Sequence, residues 1–135
     1  MRSLICLLAL CCLTGATLAS DDLDFRPPAG WIHLPTKRGM EIWGSTDGTA
    51  AVIALKKMSK SRAPVLMANA RICGNHPARA WSGPDRTGPE KMTMEGIDTD
   101  WGAVRYSTMY LRATGTAADP AAEASIRTLC LRKSR

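Results

Sequence analysis

The chain has 135 residues, 45% of them hydrophobic, and a formal net charge of +6. That length supports one buried core and is too short for two domains. No internal repeat or low-complexity linker breaks the sequence, and four tryptophans beside a single phenylalanine make indoles the natural large fillers of a small core.

Arg2 precedes an apolar run, Leu4 to Leu13, followed by the small and polar residues TGATLAS and the acidic DDLD. A positive start, an apolar stretch of about 7 to 15 residues and a small-residue exit are the pattern of a secretory signal peptide. Cleavage after Ala19 is expected, giving a signal at 1–19, a mobile lead-in at 20–29 and a single domain at 30–135. The run is shorter than the roughly 20 apolar residues of a membrane span, so no transmembrane segment is expected after cleavage. Cys6, Cys11 and Cys12 follow Ile5, Leu10 and Cys11 rather than the glycine or alanine that precedes a lipidated bacterial cysteine. Removing 19 of 135 residues leaves 116, with a net charge of about +5.

Beyond the lead-in, WIHLP (Trp31–Pro35) and EIW (Glu41–Trp43) read as short strands. Asp47-Gly48 is a strong hairpin signal and leads into AVIAL, Ala51–Leu55, a central strand. The basic stretch KKMSKSR, Lys56–Arg62, reads as a solvated connector, and its Lys56, Lys57, Lys60 and Arg62 are the candidate binding residues for an anionic partner. Pro64, Leu66, Ala70 and Cys73 then follow helical spacing, with Gly74 as the stop. ARAW (Ala78–Trp81), KMTME (Lys91–Glu95) and AVRYSTMYL (Ala103–Leu111) read as three meandering strands. The last puts Val104, Tyr106 and Tyr110 on one face. GIDTDWG, with Asp98 and Asp100, reads as a solvated turn. A final helix starts at the N-cap Asp119, with Pro120 and Glu123 in its first turn, and buries Ala122, Ile126, Leu129 and Cys130.

The expected fold is therefore α+β: an antiparallel sheet of about six strands with two helices, ordered β-β-β-α-β-β-β-α. Cys73 and Cys130 are the cysteines left after cleavage, and in an oxidising compartment they are expected to form one disulfide between the two helices. The loop it closes, about sixty residues, corresponds to about 4 kcal/mol at most.

FRPPAGWIHLP followed by EIWGSTDGTAAVIAL and a helix resembles the opening of Mog1/PsbP-type domains, in which a proline and a Gly-Trp pair lead into the first strand. Pro28, Gly30, Trp31 and the element order carry the resemblance. It implies a small α/β/α sandwich with a binding or accessory role, and it brings no catalytic motif.

The sequence offers little chemistry of its own. It has no G-x-S-x-G, H-E-x-x-H or Walker-type loop, so no catalytic residue, metal ligand or cofactor is assigned. The basic residues are not interleaved with aromatics as single-strand binders require, and nucleic acid is not an expected partner. The expectation is a small exported, periplasmic or extracellular, non-enzymatic domain binding a protein or an anionic envelope component. The alternative is an enzyme using Cys73 with His76, or His33 with a carboxylate such as Glu41.

Overall fold

The computed structural model describes residues 23–36, 39–58, 69–85 and 91–132. The strands are β1 (Leu23–Asp24), β2 (Ile32–Leu34), β3 (Met40–Gly44), β4 (Ala50–Met58), β5 (Ala70–Ile72), β6 (His76–Asp85), β7 (Met92–Trp101), β8 (Val104–Ala113) and β9 (Cys130–Leu131). One short helix, α1 (Pro120–Ser125), lies between β8 and β9. Seven strands form an antiparallel sheet in the order β2-β3-β4-β8-β7-β6-β5, and β1 pairs separately with β9.

Period-two alternation divides every strand between the two faces of this sheet. Along one face the register aligns Trp43, Val52, Tyr110, Glu95 and Ser82 in one row, and Glu41, Ala54, Thr108, Ile97 and Ala80 in the next. That face carries the core: Val52, Ile97, Tyr106 and Tyr110 cluster with Ala122, Ile126 and Leu129 from α1 and the turn after it. Phe25 and Leu131 pack against the same cluster. Thr108 Oγ1 donates to the Ile126 carbonyl at 2.6 Å, tying the helix end to the middle of the sheet.

The expected β-β-β-α-β-β-β-α order with two helices is wrong, although the antiparallel sheet is present. Ala70–Ile72, assigned to the first helix, is strand β5, paired through Ala70↔Ala78 and Ile72↔His76. Cys73 and Gly74 turn the chain with φ of 50° and 76°. Gly74 supplies a left-handed turn residue, the same property that suggested a helix stop, and glycine chemistry alone does not tell the two apart. The remainder of that helix, with Pro64 and Leu66, lies outside the described residues.

The second helix does begin at Asp119, whose Oδ1 accepts from the Ala121 amide at 2.9 Å. It ends six residues on, so Cys130 lies in a strand. Ser125 Oγ donates to the Arg26 carbonyl at 2.6 Å, and Thr128 Oγ1 accepts from the Arg26 amide at 2.9 Å. These bonds draw the chain away from the helix axis and into pairing with β1. Within the expected lead-in, Leu23 and Asp24 pair with β9, and Pro28 is buried.

GIDTDWG is likewise not a turn. Its first six residues, Gly96–Trp101, belong to the ten-residue β7, and the reversal is the pair Gly102–Ala103, with Gly102 at φ 62°. The strand β6 also runs on past the expected ARAW strand through SGPD, Ser82–Asp85. Asp47-Gly48 does turn the β3–β4 hairpin, where Asp47 Oδ1 accepts from Ser45 Oγ at 2.7 Å and from Thr49 N at 3.0 Å. These bonds stabilise the carboxylate and bring Asp47 down to about 2.

Candidate functional site

Cys73, in the β5–β6 turn, and Cys130, in β9, are joined by a disulfide with Cα atoms 4.8 Å apart. The bridge ties a turn to a strand rather than helix to helix, and it leaves Cys73 with no thiol to act as a nucleophile. His76 stacks on Trp101 with ring centroids 4.1 Å apart, and its Nε2 lies 3.1 Å from the Asp100 carbonyl oxygen. That accounts for His76 as a packed, hydrogen-bonded ring.

Of the four basic candidates, the two that are described do not share a surface. Lys56 and Lys57 are the seventh and eighth residues of β4 and point to opposite faces of the sheet, so they belong to a strand and not to a connector. Lys60 and Arg62 lie outside the described residues. Asp98 and Asp100 are both engaged: Asp98 accepts from Trp81 Nε1 at 3.2 Å, and Asp100 from Arg105 Nε at 2.8 Å.

His33 and Glu41 do meet, as β2 and β3 pair His33 opposite Trp43 and bring Glu41 into line beside it. His33 Nε2 is hydrogen-bonded to Glu41 Oε2, with side chains 37% and 8% exposed respectively. The imidazole also lies against Trp43, centroids 5.2 Å apart. A strand alternation places both groups on the covered face, and the short β2–β3 connection makes their approach local.

Between α1 and the β6–β7 part of the same face is a cavity of about 410 Å³. Its floor is apolar, from Ala80, Ile97 and Ile126, and its polar groups are Ser82, Glu95, Glu123 and Arg127. Ser82 and Glu95 are register partners across the β6–β7 ladder. Glu95 Oε1 is buried and has no hydrogen-bond partner among the described residues. Burial, then the facing Glu123 carboxylate and, more weakly, a side-chain hydrogen bond with Glu123 push the Glu95 carboxyl above its ordinary value of 4.5, against the pull of Arg112 and Arg127. Sequence reasoning missed this pair because Glu95 and Glu123 are 28 positions apart and each has an ordinary local role, one ending a short strand and the other in a helix first turn. No group of three metal-ligating side chains occurs among the described residues.

The opposite face of the sheet has a different character. Ile32, at 54% exposure, and Leu34, at 40%, begin an apolar surface that continues through Ile42, Ile53 and Met109. Leu111, Met94 and Trp81 extend it, and each is half-buried. Trp81 lies over Gly96, where a Cβ would come within 2.3 Å of the indole.

The chain matches no family model and no curated protein. A crystal structure from Bacteroides thetaiotaomicron VPI-5482, at 1.50 Å resolution, is similar with a TM-score of 0.60 and 15% identity. The similarity covers 82% of this chain and 45% of the other, so this chain spans less than half of that protein's length. At this identity the likeness concerns the fold.

Proposed function

We propose that this chain is a small exported binding domain, braced by the Cys73–Cys130 disulfide, which docks a protein partner on the open face of its sheet. The observation that carries this reading is the apolar surface running from Ile32 and Leu34 across Ile42, Ile53 and Met109. Ile32 and Leu34 are its exposed part and the other members are half-buried; an exposed apolar patch marks interaction sites in folded proteins. Export is supported by the leader pattern at 1–19 and by a disulfide, which persists in oxidising compartments.

An anionic envelope polymer fits less well than a protein. Lys56 and Lys57 diverge, and Arg105 is paired with Asp100, so the described cations form no continuous basic patch on the apolar face. The test is a photo-crosslinking residue at Leu34, with Ala124 on the exposed side of α1 as control, in cells exporting the protein. One discrete adduct from position 34 and none from 124 is expected. Equal or absent adducts at both positions would overturn the reading.

A second reading rests on the His33–Glu41 contact: a carboxylate that orients an imidazole is one part of a general-base arrangement. Trp43, the side chain tilted against the ring, supplies no nucleophile. This reading predicts that His33→Gln abolishes a measurable hydrolysis while leaving the Leu34 crosslink intact.

A further inference from the structure

The cavity beneath α1 is on the face away from the proposed docking surface, and its chemistry is that of a small-ligand site. Its volume of about 410 Å³ falls within the usual range for such pockets, about 300 to 1,000 Å³. A buried carboxylate oxygen without a partner is costly and rare in native proteins. Glu95 Oε1 is such an atom, and it lines a cavity that also contains a second carboxylate and a hydroxyl.

We infer that this cavity binds a small organic ligand through a primary ammonium group held between Glu95 and Glu123, with Ser82 completing its hydrogen bonds. An ammonium has three donors and no acceptor. Glu95, Glu123 and Ser82 supply three acceptors from three different positions around the cavity. The apolar floor of Ala80, Ile97 and Ile126 accepts the carbon chain that an amine carries. A divalent metal ion suits the cavity less, because only two anionic ligands are present and no third His, Cys, Asp or Glu joins them among the described residues. Arg127, the one cation lining the cavity among the described residues, and Arg112 nearby leave the site with a small net charge, which suits a single ammonium better than a polycation.

The two carboxylates also make binding proton-linked. In the empty site Glu95 retains its proton more readily than an isolated glutamate, because burial and Glu123 oppose its ionisation. An ammonium favours both carboxylates ionised, so its binding releases a proton and tightens as pH rises through the Glu95 titration. The amine keeps its own charge until far higher pH, about 10 for a lysine-like group.

The probe is n-butylammonium, with 1-butanol as the uncharged control, titrated into the oxidised mature protein by calorimetry and amide chemical-shift mapping. Saturable one-to-one binding at about millimolar affinity is expected, with shifts at residues 82, 95 and 123. Glu95→Gln and Glu123→Gln, each near-isosteric and checked for retained fold by circular dichroism, are expected to weaken it at least 10-fold. Affinity is expected to increase between pH 5 and pH 8, with proton release seen as a dependence of the heat on buffer ionisation. Equal binding of butanol, absence of saturable binding, or unchanged affinity in folded Glu95→Gln would each overturn the inference.

Discussion

The two faces of the sheet are built from the same strands by the same alternation, yet one is sealed by α1 and the β1–β9 pair while the other carries no covering element among the described residues. In β4, Val52 is fully buried while its neighbour Ile53 is half-buried; in β8, Tyr110 is buried while Leu111 is not. Both parities are apolar in these strands, so hydrophobicity alone did not choose the inside. The choice was made by α1 and the β1–β9 pair, which cover one face and are held there by Thr108, Ser125, Thr128 and the disulfide.

If covering elements make the difference, the largest effect should come from releasing them. Replacing Cys73 and Cys130 together by alanine is expected to cost about 3–4 kcal/mol, since the bridge closes a separation of 57 residues. Thermal denaturation of the double variant, compared with the oxidised parent, measures it. A loss below about 1 kcal/mol would show that the cover holds without its brace.

The faces themselves can be compared by equal deletions. Ile97→Ala, on the sealed face, is expected to cost about 3 kcal/mol. Ile53→Ala, on the open face, should cost under about 1 kcal/mol, because its side chain leaves less surface to re-expose. Similar values from urea denaturation would mean that the open face is buried in the isolated protein.

A smaller effect is expected at the fastening itself. Thr108→Val keeps the shape but removes the donor to the Ile126 carbonyl, at a cost of about 1 kcal/mol. Hydrogen exchange should then accelerate in 120–126 more than in β4, while uniform acceleration would place Thr108 in the global core and not in a local clasp.

The least sizeable test concerns Glu95, the polar exception on the sealed face. Its folded-state value lies above the ordinary 4.5, so the folded protein holds a proton over a range where the unfolded chain has released it. Stability therefore falls as pH rises from about 4.5 through the folded value, and Glu95→Gln should reduce that fall and stabilise the protein at neutral pH. Denaturation midpoints of parent and variant between pH 4 and pH 8 provide the comparison, and parallel curves would contradict it.

Much of the local structure was legible in the sequence. Asp47-Gly48 marked its hairpin, Asp119 and Pro120 marked the start of α1, and the spacing of Ala122, Ile126 and Leu129 identified residues that are buried. The alternation of β8 placed Tyr106 and Tyr110 on one face correctly. The failures fell where one local signal fits two structures. Gly74 suits a helix stop and a tight turn alike, and the acidic GIDTDWG looks solvated until Trp81 and Arg105 are known to lie beside its carboxylates.

What the sequence determined by itself were the features set by neighbouring residues: turn chemistry, the helix cap and the alternation of strands, all decided by bonds and sterics within a few positions. Only the tertiary structure decided where the last helix ends, which face of the sheet is sealed, and that His33 meets Glu41 and Glu95 faces Glu123. The helix end depends on Arg26, about a hundred positions away, and the two carboxylates share a cavity only because α1 folds back across β6 and β7. Such contacts depend on chain crossings that no short window of sequence records, which is why the candidate ligand site became visible only in three dimensions.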